Sequence, residues 1–325
     1  MVEKNREYTV EDFFKDNREE LKLELLTSSL KGPLNITGSD VHRPAFALSG
    51  FMENYLNKRI QIIAETETLF LRSLDRGQMK DAAERLFSKP LCCIMITKGL
   101  DLPDIFIDGA ERSSIPVLRT SKETTPFIHE LTEILDYYFA PRTKIHGSLV
   151  DVYGVGLMFT GRSGIGKSEI VLDLVERGHR LVADDVVEIL RRGDVVIGRG
   201  QEFLKHFMEL RGIGIINVMD TYGIRAIRIQ KRIEVVVELK DWDPGRDWDR
   251  HGLDEKYTEI LGSQIRQLII PIFPGKNITV IAETIALDHM LKIYGINAAR
   301  SLDDKISDWM KSKKRTRRYL RNDTE

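Results

Sequence analysis

Apolar and polar positions change their spacing along the chain, and those changes predict its elements. Thr9, followed by Glu11 and Asp12, suits a helix start that carries Phe13 and Phe14 toward Arg18. Apolar runs at 21–26 and 59–64 predict strands, and helical spacing covers 66–74 and 79–87. The run Leu91-Cys-Cys-Ile-Met-Ile-Thr97 reads as a buried strand, with further strands at 104–107 and 117–119. A longer amphipathic helix is predicted over 126–139. Beyond Pro141, a strand over 145–153 is broken by Gly154 and Gly156, and 156–160 is a second, buried strand. A helix over 168–177 stops at Gly178, strands follow at 180–183, 194–197, 212–218, 224–229 and 233–239, and 279–290 is helical. Strands alternating with helices predict an α/β fold.

Composition adds a domain count and removes several classes. A chain of 325 residues is long for one domain, so a boundary is expected at 130–143, giving domains 1–135 and 136–325. Hydrophobic residues at 42% and charged residues at 30% suffice for ordinary cores, and a net charge of -1 gives no field suited to nucleic acid or a membrane surface. The basic stretch 311–321 reads as a solvated tail, or alternatively as a docking surface for an acidic partner. Cys92 and Cys93 are neighbours in an apolar strand, which is core packing rather than a disulfide or metal framework. The N-terminal residues lack a signal-like apolar segment, and no run of about 18 apolar residues occurs, so a cytoplasmic protein is expected.

Candidate chemistry concentrates after residue 140. Gly161, Arg162, Ser163, Gly164, Ile165, Gly166, Lys167 and Ser168 fit G-x-x-x-x-G-K-S/T without a mismatch. Chance supplies the four fixed positions in roughly one chain in a hundred of this length. Glycines let successive N–H groups turn toward phosphate oxygens, and the helix opening at Lys167 adds its positive end. Lys167 then reaches the β- and γ-phosphates, and the Ser168 hydroxyl is placed for magnesium.

Two acids, Asp184 and Asp185, close the apolar strand 180–183, where ligands of α/β sheets collect. One suits magnesium and the other a proton from an attacking hydroxyl, with the assignment open between them. His146 shortly precedes the strand feeding the phosphate loop, where a histidine taken alone is more often structural or exposed. Glu209 and Arg211 share one face of an extended segment, which suits either joint metal and phosphate binding or a plain ion pair. The segments 242–251 and 271–277 read as loops.

These segments together resemble the HPr kinase/phosphorylase family. The similarity rests on His146-Gly-Ser-Leu-Val-Asp-Val-Tyr-Gly154, the phosphate loop with Glu169, Gly178-His-Arg-Leu-Val-Ala-Asp-Asp185, and Glu209-Leu-Arg-Gly-Ile-Gly-Ile-Ile-Asn217. The resemblance implies an N-terminal α/β domain serving assembly or regulation. It also implies a C-terminal P-loop kinase domain with C-terminal helices, akin to phosphoenolpyruvate carboxykinase, in a homohexamer. Its implied activity is ATP-dependent phosphorylation of a regulatory serine on the phosphocarrier protein HPr, with reversal by inorganic phosphate to give pyrophosphate. Lys167 would bind the transferred phosphate, and Ser168 and Glu209 would hold Mg2+. Asp185 would accept the serine proton, His146 would assist, and Arg250 would be the catalytic arginine. The loop Pro271, Ile272, Phe273, Pro274, Gly275 and Lys276 would serve dephosphorylation, although Phe273 and Lys276 stand where the family usually carries arginines. Arg162 occupies a position often acidic in relatives. Two other readings share the phosphate site: a P-loop kinase for another protein or a small hydroxyl substrate, and a nucleotide-driven switch.

Overall fold

The structure is a computed structural model describing residues 7–53, 55–245, 248 and 255–322. Two compact units meet in the chain between Ala140 and Pro141.

In the first unit, α1 (Val10–Asn17) starts where Thr9 Oγ1 accepts the Asp12 N–H at 3.0 Å. β1 (Leu23–Leu25), β2 (Val41–His42), α2 (Ala45–Ser49) and β3 (Ile60–Ile63) follow. Next come α3 (Glu65–Ser73), α4 (Arg76–Leu86), β4 (Ile94–Ile96), α5 (Asp104–Arg112), β5 (Val117–Thr120) and α6 (Thr124–Phe139). The sheet order is β1-β5-β4-β3-β2, parallel except for β1 against β5. Its inner strands β3, β4 and β5 place apolar residues on both faces because each face is covered: Ile63, Ile94, Ile96 and Val117 join one core, and Ile62, Met95 and Leu118 the other. Cys92 and Cys93 are free thiols and fully buried.

The second unit opens with β6 (Arg142–His146), β7 (Ser148–Val152), β8 (Val155–Thr160) and α7 (Lys167–Glu176). β9 (Arg180–Ala183), β10 (Val186–Arg192), β11 (Val195–Gly200), β12 (Phe207–Leu210), β13 (Gly214–Asn217) and α8 (Val218–Tyr222) continue it. β14 (Gln230–Arg232), β15 (Val235–Asp241), β16 (Lys256–Ile260), β17 (Ser263–Ile272), α9 (Ile278–Ile293) and α10 (Ala298–Asn322) complete it. A six-stranded sheet runs β16-β17-β15-β8-β7-β9, with β17, β15 and β8 parallel. An antiparallel sheet runs β14-β11-β10-β6, and β12 and β13 form a hairpin. Phe159, Val150 and Val237 of the large sheet pack with Leu174 of α7 and Ile285 of α9. Leu149, Met158 and Val236 on its other face pack with Val187, Ile189 and Val196 of the smaller sheet. Full burial of such side chains stabilises by about 1.5–3 kcal/mol each.

Several sequence expectations change in the structure. Residues 104–107 are helical, not extended: Asp104 opens α5 after Pro103, and Phe106, Gly109 and Ala110 fall on one buried face. The strand expected over 145–153 is two strands in different sheets, parted at Gly147, where a Cβ would stand 2.4 Å from the Phe159 carbonyl oxygen. The segment 224–229 holds a 3-10 turn, Ile224–Ala226, and one bridge from Ile227 to Leu181 rather than a strand. The basic stretch 311–321 belongs to the 25-residue helix α10, with Lys311 and Lys313 exposed. Among the described residues, no helix is long and apolar enough to cross a membrane.

Candidate active site

β8 buries Leu157, Met158 and Phe159 and delivers the chain at Thr160 into the glycine-rich loop. α7 then seats Val171, Leu174 and Val175 in the core, and its far end closes where the Gly178 N–H meets the Val175 carbonyl and the His179 N–H that of Leu174. Gly161, Gly164 and Gly166 take φ of +144°, +75° and +99°. Gly166 caps α7 in the left-handed region and no side chain caps the first turn, so its N–H groups and dipole end face the loop unoccupied by a carboxylate. Lys167 Nζ donates to the carbonyls of Gly161 and Arg162, each at 3.2 Å. Gly164 admits a close neighbour: a Cβ there would lie 2.6 Å from Nη2 of Arg211. The guanidinium of Arg211 thus lies against the phosphate loop. Arg162 turns its own guanidinium outward onto Asp241, with Nε to Oδ2 at 2.6 Å and Nη2 to Oδ1 at 2.8 Å.

The two acids separate sharply. Asp184 is buried, and its carboxylate accepts from Ser168 Oγ at 2.8 Å and from Ser148 Oγ at 2.5 Å. Burial raises its pKa above the usual carboxylate range, while the two hydroxyls and the Asp185 N–H pull against that rise. Asp185 is instead 74% exposed, with a backbone φ of +64°. Its carbonyl accepts from Gly147 N–H at 3.0 Å and lies 3.2 Å from His146 Nδ1, and its Oδ1 is 3.7 Å from that nitrogen. The chain crosses between the two sheets at Gly147 and again at 184–185, and the crossings are bonded to each other. One linked group therefore joins Ser168, Asp184 and Ser148 on one side to His146 and Asp185 on the other.

Glu209 is exposed on β12, whose flanking Met208 and Leu210 are buried in the core that holds α7. No group of three or more His, Cys, Asp or Glu side chains among the described residues could hold a metal ion by itself. Hydroxyl and carboxylate oxygens such as those of Ser168 and Asp184 are the hard donors that share a small divalent cation with bound phosphates, so the set fits magnesium.

Pro271 and Ile272 end β17 in register with Lys240 and Asp241 of β15, and the turn itself occupies Phe273–Lys276. Lys276 Nζ donates back to the Pro271 carbonyl at 2.9 Å and sits 5.3 Å from the Phe273 ring. Burial lowers the Lys276 pKa. Phe273 meets Trp242 edge-on, and Trp242 stacks with Trp248. Arg250 lies outside the described residues.

Sequence reasoning left two participants out of the site and left a third, Arg211, undecided between phosphate binding and an ion pair. Arg211 was signalled by its pairing with Glu209 on an extended backbone. Ser148 and Asp241 carried no local signal, since each acts on a residue tens of positions away.

The HPr Serine kinase C-terminal domain matches residues 137–306, and the HPr Serine kinase N terminus matches residues 8–135. The chain belongs to this family. HPr kinase/phosphorylase of Chloroherpeton thalassium is 46% identical over 306 residues, covering 93% of this chain and 90% of that protein. That of Prosthecochloris aestuarii is 45% identical over 331 residues, covering 99% and 97%. Among solved structures, the Hpr(Ser) kinase/phosphatase from Coxiella burnetii is 28% identical, covers 49% of this chain and 98% of its own, and has a TM-score of 0.45. Membership in the HPr Serine kinase family makes the chain a nucleotide-using phosphotransferase.

Proposed function

We propose that this chain transfers the γ-phosphoryl group of ATP to a serine hydroxyl of HPr and reverses the transfer with inorganic phosphate. The observation that carries the reading is the linked group at the phosphate loop: Ser168 and Asp184 on one side, Asp185 and His146 on the other. The loop 161–168 holds the polyphosphate, with Lys167 on the β- and γ-oxygens. Ser168 and Glu209 would hold Mg2+, with the Asp184 carboxylate beside Ser168 as a further hard oxygen, and the ion would neutralise charge on the phosphates. Asp184, bonded to the Ser168 hydroxyl, orients that oxygen.

Asp185 is the proton acceptor because it is exposed to an incoming hydroxyl whereas Asp184 is committed to two serines. As the serine oxygen bonds to phosphorus, the bond from the γ-phosphorus to ADP breaks, and the serine proton passes to the Asp185 carboxylate. His146, beside Asp185, steadies that carboxylate. In reverse, a phosphate oxygen attacks the phosphoserine phosphorus, the bond to the serine oxygen breaks, and Asp185 returns its proton, leaving pyrophosphate. Arg250 balances charge on the transferring group, and the segment Pro271–Lys276 serves the reverse direction.

The division of labour continues beyond the site. Residues 136–325 carry catalysis, and 1–135 serve assembly or regulation in a cytoplasmic homohexamer. Exposed Leu302, Ile306, Trp309 and Met310, spaced along one stripe of α10, support self-association. The test is to incubate the chain with HPr, MgATP and labelled γ-phosphate, then add excess phosphate. Label on HPr followed by pyrophosphate is expected. Nucleotide binding without transfer would overturn the reading.

A further inference from the structure

Arg162 and Asp241 raise a question that the phosphate loop alone does not. Arg162 is a cation inside the loop read as the polyphosphate grip, yet its guanidinium is engaged in a two-point bond to the Asp241 carboxylate. The pair is not there for stability: each side chain is 61% exposed, and exposed ion pairs contribute little. Its position is the informative fact. β15 runs parallel to β8, with Glu238 opposite Thr160, so its last residues climb beside the loop. The Leu239 carbonyl lies against Gly161, where a Cβ would be 2.7 Å away. Asp241, two residues further on the same strand face, stands at the rim of the cradle. Its neighbour Lys240 is already paired with Glu238, at 2.8 Å. Arg162 is thus the cation that holds Asp241, and it keeps the Asp241 carboxyl below the usual carboxylate range.

We infer that Asp241 is an affinity-setting counter-charge of the nucleotide site, which holds Arg162 off the polyphosphate and so limits how tightly the anion is bound. The inference rests on the reading of residues 161–168 as the polyphosphate grip. Its physical content is a competition: one guanidinium has two anionic partners, the resident carboxylate and the bound phosphates. Removing the carboxylate gives the guanidinium to the phosphates. Removing the guanidinium leaves a bare carboxylate facing them.

The sign of the effect separates this role from a merely structural one. Asp241→Asn tightens MgATP binding, and Arg162→Ala weakens it, each by about two- to fivefold for one charge near the rim. The double variant Arg162→Ala/Asp241→Asn returns near the parent value. A clasp that only stiffened the loop would weaken binding in both single variants. The measurement is a titration of the full chain with MgATP at low and at high potassium chloride, alongside a thermal melt. The opposed shifts shrink at high salt as the charges are screened. If Arg162→Ala melts early, Arg162→Gln supplies the same comparison. Shifts of the same sign, or none reaching twofold, overturn the counter-charge. A parent chain that binds no MgATP overturns the grip itself.

Discussion

The starts of α3 and α7, each following a buried strand with a parallel neighbour, differ in that only one of them is free to receive an anion. α3 follows β3 in the first unit, and α7 follows β8 in the second. Both carry glutamate at the third helical position, Glu67 and Glu169. Before α3, Ala64 is extended, with φ of -120°, and its N–H donates to Glu67 Oε2 at 3.0 Å. Arg43 completes the arrangement by bonding both oxygens of Glu67, at 3.0 and 2.7 Å. The anion place is filled from within. Before α7, Gly166 is left-handed, no side chain caps the turn, and Glu169 is exposed. Identical acids at identical positions therefore give a sealed cap or an open one, according to the backbone conformation of the residue preceding the helix.

Lys167 offers the sharpest way to break the comparison. Lys167→Ala should reduce transfer to HPr by about 10³-fold or more, equivalent to about 4 kcal/mol, with the melting temperature unchanged. Single-turnover kinetics beside a thermal melt decide it, and a folded variant with full activity would end the assignment. Asp185→Asn comes next, with a loss of about 10²-fold or more in transfer while MgATP binding persists. Equal loss at Asp184 and Asp185 in binding and turnover would erase the distinction drawn between them.

The sealed start is sharpened by Glu67→Ala. Unfolding in denaturant should show a loss of about 2 kcal/mol, from the missing cap and its bonds to charge, with MgATP affinity within about twofold of the parent. The smallest effect belongs to Asp184 and pH. Its folded pKa is raised by burial, so only between the ordinary and the raised pKa does the folded chain hold a proton there that the unfolded chain has released. Stability from this group is full below the ordinary carboxylate pKa and declines as pH rises through the raised value. Melts of the metal-free chain should therefore fall with pH more steeply than those of Asp184→Asn over that window. Parallel curves would remove the burial argument.

Local chemistry was legible in the sequence, and long-range pairing was not. The phosphate loop and its helix could be read because eight consecutive residues and a neighbouring strand determine them. The choice between Asp184 and Asp185 could not, since it depends on Ser148 and Ser168 meeting one carboxylate from 36 and 16 residues away. Residues 104–107 misled because Ile105, Phe106 and Ile107 form a short continuous apolar run like that of a buried strand, while the helical partners Gly109 and Ala110 have little hydrophobic weight. The split at Gly147 was hidden because β6 and β7 meet without an intervening polar loop. Periodicity alone did not reveal α10, whose apolar stripe is sparse among charges; only the resemblance implied C-terminal helices. β17 escaped because Pro271 suggested a loop, although it lies at a strand end.

The double crossing at Gly147 and Asp185 divides labour between layers. His146 ends a strand of the smaller sheet and Asp185 adjoins the next one, whereas Ser148 and the nucleotide loop belong to the larger sheet. A shear between those layers would change the distance from His146 and Asp185 to the glycine-rich loop without altering the loop's own bonds.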